Sequence, residues 1–489
     1  MNLIDVGDLF LSKQSSSLQQ TLFDAIQQKI INGHWKREQK LPSTRKMAEE
    51  LALSRNTVTS AYEQLVAEGY LQSRKGSGFF VAVSIPEYFL KTVVSQSERP
   101  DRSDVNNKES SLVPPFDTQR SLYLNRPFSP GIPDLAEFPY AKWQRLLQRH
   151  IHRDSLSGMG DIQGYFPLRE ALSHYLQSSR SVSCHPNRII VTSGAQQALS
   201  IATLATLDPN QTVLMEEPGY SQMRKVLNLY RIKMVSVSVD PLLGLNIASL
   251  LKHKAAAVYL TPSNQYPMGT SLNTEQRLQI LQWAEANQAW VIEDDYDSEF
   301  QFAHRPYTSL QGLSAQSEFS DRCIYVGSLS KTMFNGLRIG YMVVPESLVE
   351  ACLKIKDAMA GNTAIHSQAA LADFISEGHF LRHLRRMRKI YQQKSILLRD
   401  ALTQHFGREW QVISQEAGLH TTVRWQGSPS ENQVVVAAEK KGITVRPLSY
   451  YEKHIHQRDW NALVLGYGNV QSNKIEPLIA QLRQIYLNL

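Results

Sequence analysis

The chain has little cysteine and no long apolar run. Its three cysteines, Cys184, Cys323 and Cys352, lie far apart in 489 residues. They form neither a disulfide framework nor a zinc-ligand spacing, so no metal site is expected and a reducing cytoplasm fits. No stretch approaches 18 uncharged apolar residues, which argues against a membrane span. The start, MNLIDVGDLFLSKQSSS, carries early acids and lacks the basic region and apolar run of a signal peptide. Charge of one sign is also scarce: 52 Lys and Arg face 45 Asp and Glu, a net of +7. So mild a bias permits a nucleic-acid partner without demonstrating one. There is no internal repeat. The 42% hydrophobic and 20% charged fractions are ordinary globular values and exclude a disordered, collagen-like or coiled-coil chain. A length of 489 residues exceeds one usual core, so the chain is expected to be multidomain.

Residues 1–83 read as a small helical module ending in a β-hairpin. Leu18, Leu22, Ile26 and Ile30 recur every four residues and Gly33 follows, the pattern of an amphipathic helix with a stop. Pro42 and Ser43 open a second helix with Met47, Ala48 and Leu51 on one face. Ser54 caps a third, in which Val58, Ala61, Tyr62, Leu65 and Val66 keep helical spacing and Gly69 ends the run. Two β-prone runs then flank Arg74-Lys75-Gly76-Ser77-Gly78, where glycines allow a tight turn. Two helices joined by a short turn, followed by a hairpin, make a winged helix-turn-helix. Its recognition helix would present Arg55, Asn56 and Thr57, and its wing Arg74 and Lys75, to DNA. Residues 29–83 hold nine Lys or Arg against five Glu, a local excess of +4. A helical bundle with a solvated basic face is the ordinary reading of the same pattern.

Residues 84–120 are rich in Pro, Ser, Asn and mixed charge, as in SQSERPDRSDVNNKESS, and read as a flexible linker. From 121 to 489 the pattern alternates. Short apolar runs such as RIIVTSG, QTVLMEE, AAAVYLTPS, AWVIEDDY and CIYVGSLSK are separated by helical stretches, the signature of a large α/β domain with a mainly parallel sheet.

Four elements of that domain carry chemistry in chain order. Ser193-Gly194-Ala195-Gln196 follows a strand and opens a helix, where free N–H groups suit a phosphate. AWVIEDDYDSEF ends a strand in acids, and a carboxylate there would keep a pyridine nitrogen protonated. Asp294 is the choice for that role, with Tyr296 near a ring hydroxyl. Ser328-Leu329-Ser330-Lys331 follows a strand and offers Lys331 as a Schiff-base amine, with Arg338 seven residues on to pair a phosphate. EEPGY places Tyr220 where its ring would stack on a cofactor. Each alone has an ordinary reading: a close helix–strand turn, capping acids, a surface lysine, a packed tyrosine.

The motifs resemble known families. LPSTRKMAEELALSRNTVTSAYEQLVAEGYLQSRKGSGFFVA is similar to the winged helix of the GntR family of bacterial regulators, over about residues 18–82. The resemblance implies DNA contacts from Arg45, Arg55, Thr57 and the wing around Gly76 and Ser77. Residues from about 125 to 489 resemble a fold-type I, class I aminotransferase, supported by PGIPDLAEFP, YFPLREAL and TPSNQYPMGT. The fusion of the two resembles the MocR/GabR subfamily. By that resemblance Lys331 holds pyridoxal 5'-phosphate (PLP) as an internal aldimine. Asp294 pairs the ring nitrogen, Tyr296 its oxygen, and Tyr220 stacks. Ala195, Gln196, Ser328 and Arg338 hold phosphate, and Gln265 or Tyr266 approaches the ring. The GABA-responsive member uses an arginine two residues after the stacking tyrosine; here that position is Gln222, which argues against GABA. Arg446, in GITVRPLSYY, is the alternative carboxylate partner.

The expectation is a PLP-dependent transcription regulator that binds a double-stranded operator. It would sense PLP, an amine or an amino acid through an external aldimine at Lys331. It would be a cytoplasmic homodimer with heads swapped head-to-tail. The alternative is a working aminotransferase with a DNA-binding head attached; as a regulator the chain performs at most a partial transamination.

Overall fold

The computed structural model describes residues 18–31, 34–82, 126–302, 307–316, 319, 321–453 and 458–489. The expected linker, 84–120, lies outside the described residues, as does Gly33. Two compact units emerge, one within 1–110 and one within 111–489.

The first unit is built as its spacing predicts. Helix α1 (Leu18–Ile31) buries Leu22, Ile26 and Ile30, with Phe23 beside them; Leu18, at its first turn, is exposed instead. Helix α2 (Thr44–Glu50) buries Met47 and Ala48, and Ser43 caps it by accepting from Lys46 N–H. Helix α3 (Arg55–Ala67) starts at Ser54, whose hydroxyl accepts from Thr57 N–H at 3.1 Å. Its buried face, Val58, Ala61, Tyr62 and Leu65, completes one core with α1 and α2. Tyr62 donates to Pro42 O at 3.1 Å and fixes α3 against the start of α2. Strands β1 (Leu71–Arg74) and β2 (Gly78–Val81) pair antiparallel, Leu71 opposite Val81 and Arg74 opposite Gly78. Gly76 turns the wing with φ +76°, a region costly to residues with a Cβ.

The second unit holds an eight-stranded sheet in the order β3-β10-β9-β8-β7-β4-β5-β6. Its strands are β3 (Ile189–Thr192), β4 (Thr212–Glu217), β5 (Lys233–Asp240), β6 (Gly244–Leu245), β7 (Ala257–Leu260), β8 (Trp290–Asp295), β9 (Cys323–Ser328) and β10 (Gly340–Val343). Neighbours among β4, β5, β7, β8 and β9 run parallel. The short β6 and the inserted β10 run antiparallel to their neighbours, so the sheet is mixed. Strands β3, β7 and β10 are buried along their length, as expected where helices cover both faces. Alternate residues feed opposite cores. Ile190, Tyr259, Ile292, Ile324 and Met342 meet the helix Ala195–Thr206, while Ile189, Val191, Tyr325 and Val343 face the other side.

The apolar runs do not foresee a second sheet. Strands β11 (Gln411–Val412), β12 (His420–Gln426), β13 (Arg446–Pro447) and β14 (Trp460–Gly466) form it, in the order β11-β12-β14-β13, all antiparallel. It brings Arg446 to the site described next.

Candidate functional site

A cavity of about 280 Å³ opens at the carboxyl ends of β3, β4, β7, β8 and β9, the position where parallel α/β sheets take ligands. Eight of the nine expected cofactor residues line it: Ala195, Gln196, Tyr220, Asp294, Tyr296, Ser328, Lys331 and Arg338. Arg446 and Gln222 line it too. Gln265 does not. It is buried one residue away, donating to Pro218 O and Tyr266 O, so it braces the loop while Tyr266 faces the cavity.

One end of the cavity is cationic and donor-rich. The helix Ala195–Thr206 begins after Gly194, which has φ +99° and gives no side-chain cap, so its first N–H groups are left for a ligand. Arg338 sits across that turn and donates to Ser193 O at 2.8 Å. A Cβ on Gly194 would press the guanidinium at 3.3–3.4 Å, and one on Gly340 would lie 2.7–2.9 Å from the Gly194–Ala195 backbone. Glycine at both positions lets arginine, strand and helix start converge. Ser328 and Ser330 add hydroxyls, 3.0 Å apart.

The floor is acidic. Asp294, at the end of β8, accepts from Tyr259 Oη at 2.7 Å through one oxygen; the other, Oδ1, is buried without a hydrogen-bond partner among the described residues. Burial pushes its carboxyl up to about 7, with the Tyr259 hydrogen bond and Lys331 opposing. Lys331 donates to Gly131 O at 2.5 Å. Burial depresses its ammonium, while Asp297 and then Asp294 draw it back up. A side chain on Gly131 would strike Lys331 Nζ, so the PGIP segment needs glycine there. Tyr296 donates to Asn264 O at 2.7 Å.

The far wall is aromatic. Tyr266 and Tyr451 share a hydroxyl–hydroxyl hydrogen bond of 2.9 Å, and their rings meet edge to face at 5.1 Å. Arg446 lies over the Tyr450 ring at 5.6 Å and forms no ion pair among the described residues. Arg224 is turned elsewhere: it donates to Tyr451 O at 2.7 Å and Tyr450 O at 3.3 Å and faces Glu217. That leaves Arg446 as the cation on this wall. Thr261, Asn335, Tyr450 and Tyr451 also line the cavity; the sequence reading did not single them out, although GITVRPLSYY and AAAVYLTPS contain three of them. Asn264 and Asp297, behind the floor, fall within TPSNQYPMGT and AWVIEDDYDSEF, which carry no role for either residue.

In the first unit, Arg45, Arg55, Asn56, Arg74, Lys75, Gly76 and Ser77 are all exposed. Arg45 pairs with Glu49 at 3.2 Å on the helix surface, and Arg74 pairs with Glu38 and lies over Phe80. Such exposed pairs contribute little to stability. Thr57 is half-buried, its hydroxyl bonded to Ser54 Oγ at 2.7 Å, so part of its role is capping.

Comparison with known proteins agrees with both halves. Residues 18–81 match the model of bacterial regulatory proteins of the gntR family, and residues 129–460 that of the aminotransferases of class I and II. The chain is 35% identical to the probable rhizopine catabolism regulatory protein MocR of Rhizobium meliloti, covering 96% of this chain and 93% of that one. It is 28% identical to the HTH-type pyridoxine biosynthesis transcriptional regulator PdxR of Corynebacterium glutamicum, covering 96% of each. In fold it is similar to a Pyrococcus horikoshii kynurenine aminotransferase, with a TM-score of 0.71 and 23% identity over 79% of this chain and 98% of that chain. It is similar also to LysN, an α-aminoadipate aminotransferase of Thermus thermophilus, with a TM-score of 0.69 and 22% identity over 75% of this chain and 93% of that chain.

Pyridoxal phosphate is the cofactor that such a domain carries, and the cavity's groups fit it. The uncapped helix start beside Arg338 suits a phosphate. The unpartnered Asp294 Oδ1 suits a protonated ring nitrogen. Among the described residues no cluster of His, Cys, Asp or Glu could hold a metal, and no helix is long and apolar enough to cross a membrane.

Proposed function

The chain belongs to the MocR subfamily of GntR-type regulators, a DNA-binding winged head joined to a class I and II aminotransferase domain, and from that premise we propose that it is a transcription regulator whose grip on an operator is set by pyridoxal phosphate together with an amine or amino acid. The observation that carries this reading is the gathering of Asp294, Lys331, Arg338 and Arg446 around one cavity, in a chain that also bears a winged head.

When bound, the cofactor supplies an aldehyde that condenses with amines and a ring that draws electrons. The chain's residues do the rest. Lys331 Nζ, depressed by burial, is available as the neutral amine that holds the cofactor. Asp294 keeps a proton on the ring nitrogen. Tyr296 would bond the ring oxygen, and Tyr220 would stack on the ring. Ala195, Gln196, Ser328 and Arg338 hold the phosphate. With the cofactor bound, Lys331 would be the amine an effector displaces, and Arg446 would take the effector's carboxylate. With Gln222 where an arginine would stand and Arg224 committed to the 450–451 backbone, Arg446 is the guanidinium left on this wall for a carboxylate.

In the head, Arg45, Arg55, Asn56 and Thr57 meet bases and phosphates, and Arg74, Lys75, Gly76 and Ser77 place the wing on the backbone. A homodimer, with each head on its partner's large domain, presents two heads to two half-sites.

The test is a gel shift on the gene's own upstream region, with and without PLP and a panel of amino acids. Ligand-dependent change in affinity is the expected result. Repeated turnover of an amino donor and a keto acid, with DNA binding indifferent to both, would make the chain an aminotransferase instead.

A further inference from the structure

A carboxylate that is to meet a ring nitrogen must present one oxygen in a fixed direction. The sheet holds Asp294 for that purpose from behind. Tyr259 of β7 stands opposite Ile292 of β8, and Asp294 follows Ile292 by two residues. Side chains alternate along a strand, so Tyr259 and Asp294 share the sheet face that carries Ile292. On that face Tyr259 Oη donates to Asp294 Oδ2 at 2.7 Å. It is the one hydrogen-bond donor to this side chain among the described residues, and Oδ1 is left for a partner from the cavity.

The donor is fixed in its turn. Tyr259 is 0% exposed and does not line the cavity, whereas Asp294 does. Met215 of β4 and Ile292 of β8 flank it on the neighbouring strands, and all three belong to one apolar core. A close-packed ring of this kind has little freedom to swing. Burial holds the phenol well above its usual range, so the hydroxyl keeps its proton to donate. The other charged groups acting on the pair have partners of their own. Asp295 accepts from Arg180 at 2.6 Å and from Tyr325, and Lys331 donates to Gly131 O. Glu216 accepts from Thr261 N–H and Oγ1.

We propose that Tyr259 is a positioning residue for the cofactor ring: by holding Asp294 Oδ2 from behind, it aims Oδ1 at the ring nitrogen and favours the charged carboxylate there. This deepens the reading that Asp294 pairs the ring nitrogen of PLP, and rests on it. Tyr259 touches no cofactor itself and acts through Asp294 alone.

Two measurements on the full chain test it. The first is PLP affinity by equilibrium dialysis. Tyr259→Phe keeps the packed ring and removes the hydroxyl, and is expected to weaken PLP by about 10-fold. In an Asp294→Asn background the same substitution is expected to have little further effect, because the two act as a unit. Tyr175→Phe, which removes another buried phenol donor, from Glu299, is expected to keep wild-type affinity. The second is thermal melts of the cofactor-free chain against pH. The stability gap between a chain and its Asp294→Asn variant grows with pH until Asp294 is ionised, then levels off, near 7 in wild type. Losing the hydroxyl favours the neutral carboxyl. With Tyr259→Phe in both chains, the level-off is therefore expected about one pH unit higher. A level-off unmoved by Tyr259→Phe overturns the proposal. So does an equal loss of affinity in the Asp294→Asn background or in Tyr175→Phe, which would mark a merely structural role. A wild-type chain that takes up no PLP overturns the cofactor reading and this inference with it, whereas an unmoved level-off in a chain that loads PLP overturns this inference alone.

Discussion

Asp294 shows how one side chain ties stability to cofactor binding. Burial pushes its carboxyl up to about 7 even with the Tyr259 hydrogen bond and Lys331 opposing, against about 3.9 in an unfolded chain. Between those values the folded state keeps a proton that the unfolded state has lost, so rising pH removes stability through this group, and the loss is complete above about 7. Asp294→Asn cannot ionise. Thermal melts of the cofactor-free chain should show the variant gaining on wild type from about pH 4 to 7, by about 4 kcal/mol, and then holding level. A constant gap across that range would contradict the assignment. Arg446→Gln should leave PLP loading intact. It should weaken the amino-acid-dependent spectral change by about 10- to 100-fold in effector concentration, the worth of a hydrogen bond to a charged group. An unchanged effector titration would remove Arg446 from the site.

Among secondary elements, the ones legible in the sequence are those fixed by local rules. Ser43 and Ser54 cap helices where their type and spacing said they would, and the run LQSRKGSGFFV folds as the hairpin its glycines allow. The phosphate-side turn and the Lys331 turn were legible for the same reason: each is a short segment at a strand end. What was not legible depends on partners distant in sequence. Arg180 meets Asp295 across 115 residues, and Tyr259 meets Asp294 across 35. No periodicity reports such pairs. Gln265 was misplaced because residues 265 and 266 sit in one loop, and only the fold says which side chain faces the cavity. The four-stranded sheet escaped notice because two of its strands, β11 and β13, are two residues long.

Two element-level predictions follow from the head. Ser54→Ala removes the acceptor at the start of α3 and should cost about 1 kcal/mol there, read as earlier amide exchange in α3 than in α2. Unchanged exchange would mean the cap carries no weight. Lys75→Ala on the wing should weaken binding to all sequences alike and lower the slope of log affinity against log salt by about 1. A sequence-selective loss would place Lys75 on a base instead.

Over the whole molecule, the mild +7 net charge is a poor guide. The cations with proposed roles fall in two places: exposed Arg45, Arg55, Arg74 and Lys75 on the head, and Lys331, Arg338 and Arg446 around the cavity. In the proposed regulator these two places communicate. A ligand shifts the DNA-binding equilibrium only if it favours one arrangement of the chain over another. The most direct measurement is operator affinity of wild type and Lys331→Ala, each with and without PLP and an activating amino acid, at one salt concentration. Ligand is expected to change the affinity of wild type and to leave Lys331→Ala unmoved. Equal affinities in wild type under all conditions, while the visible cofactor band still forms, would contradict it.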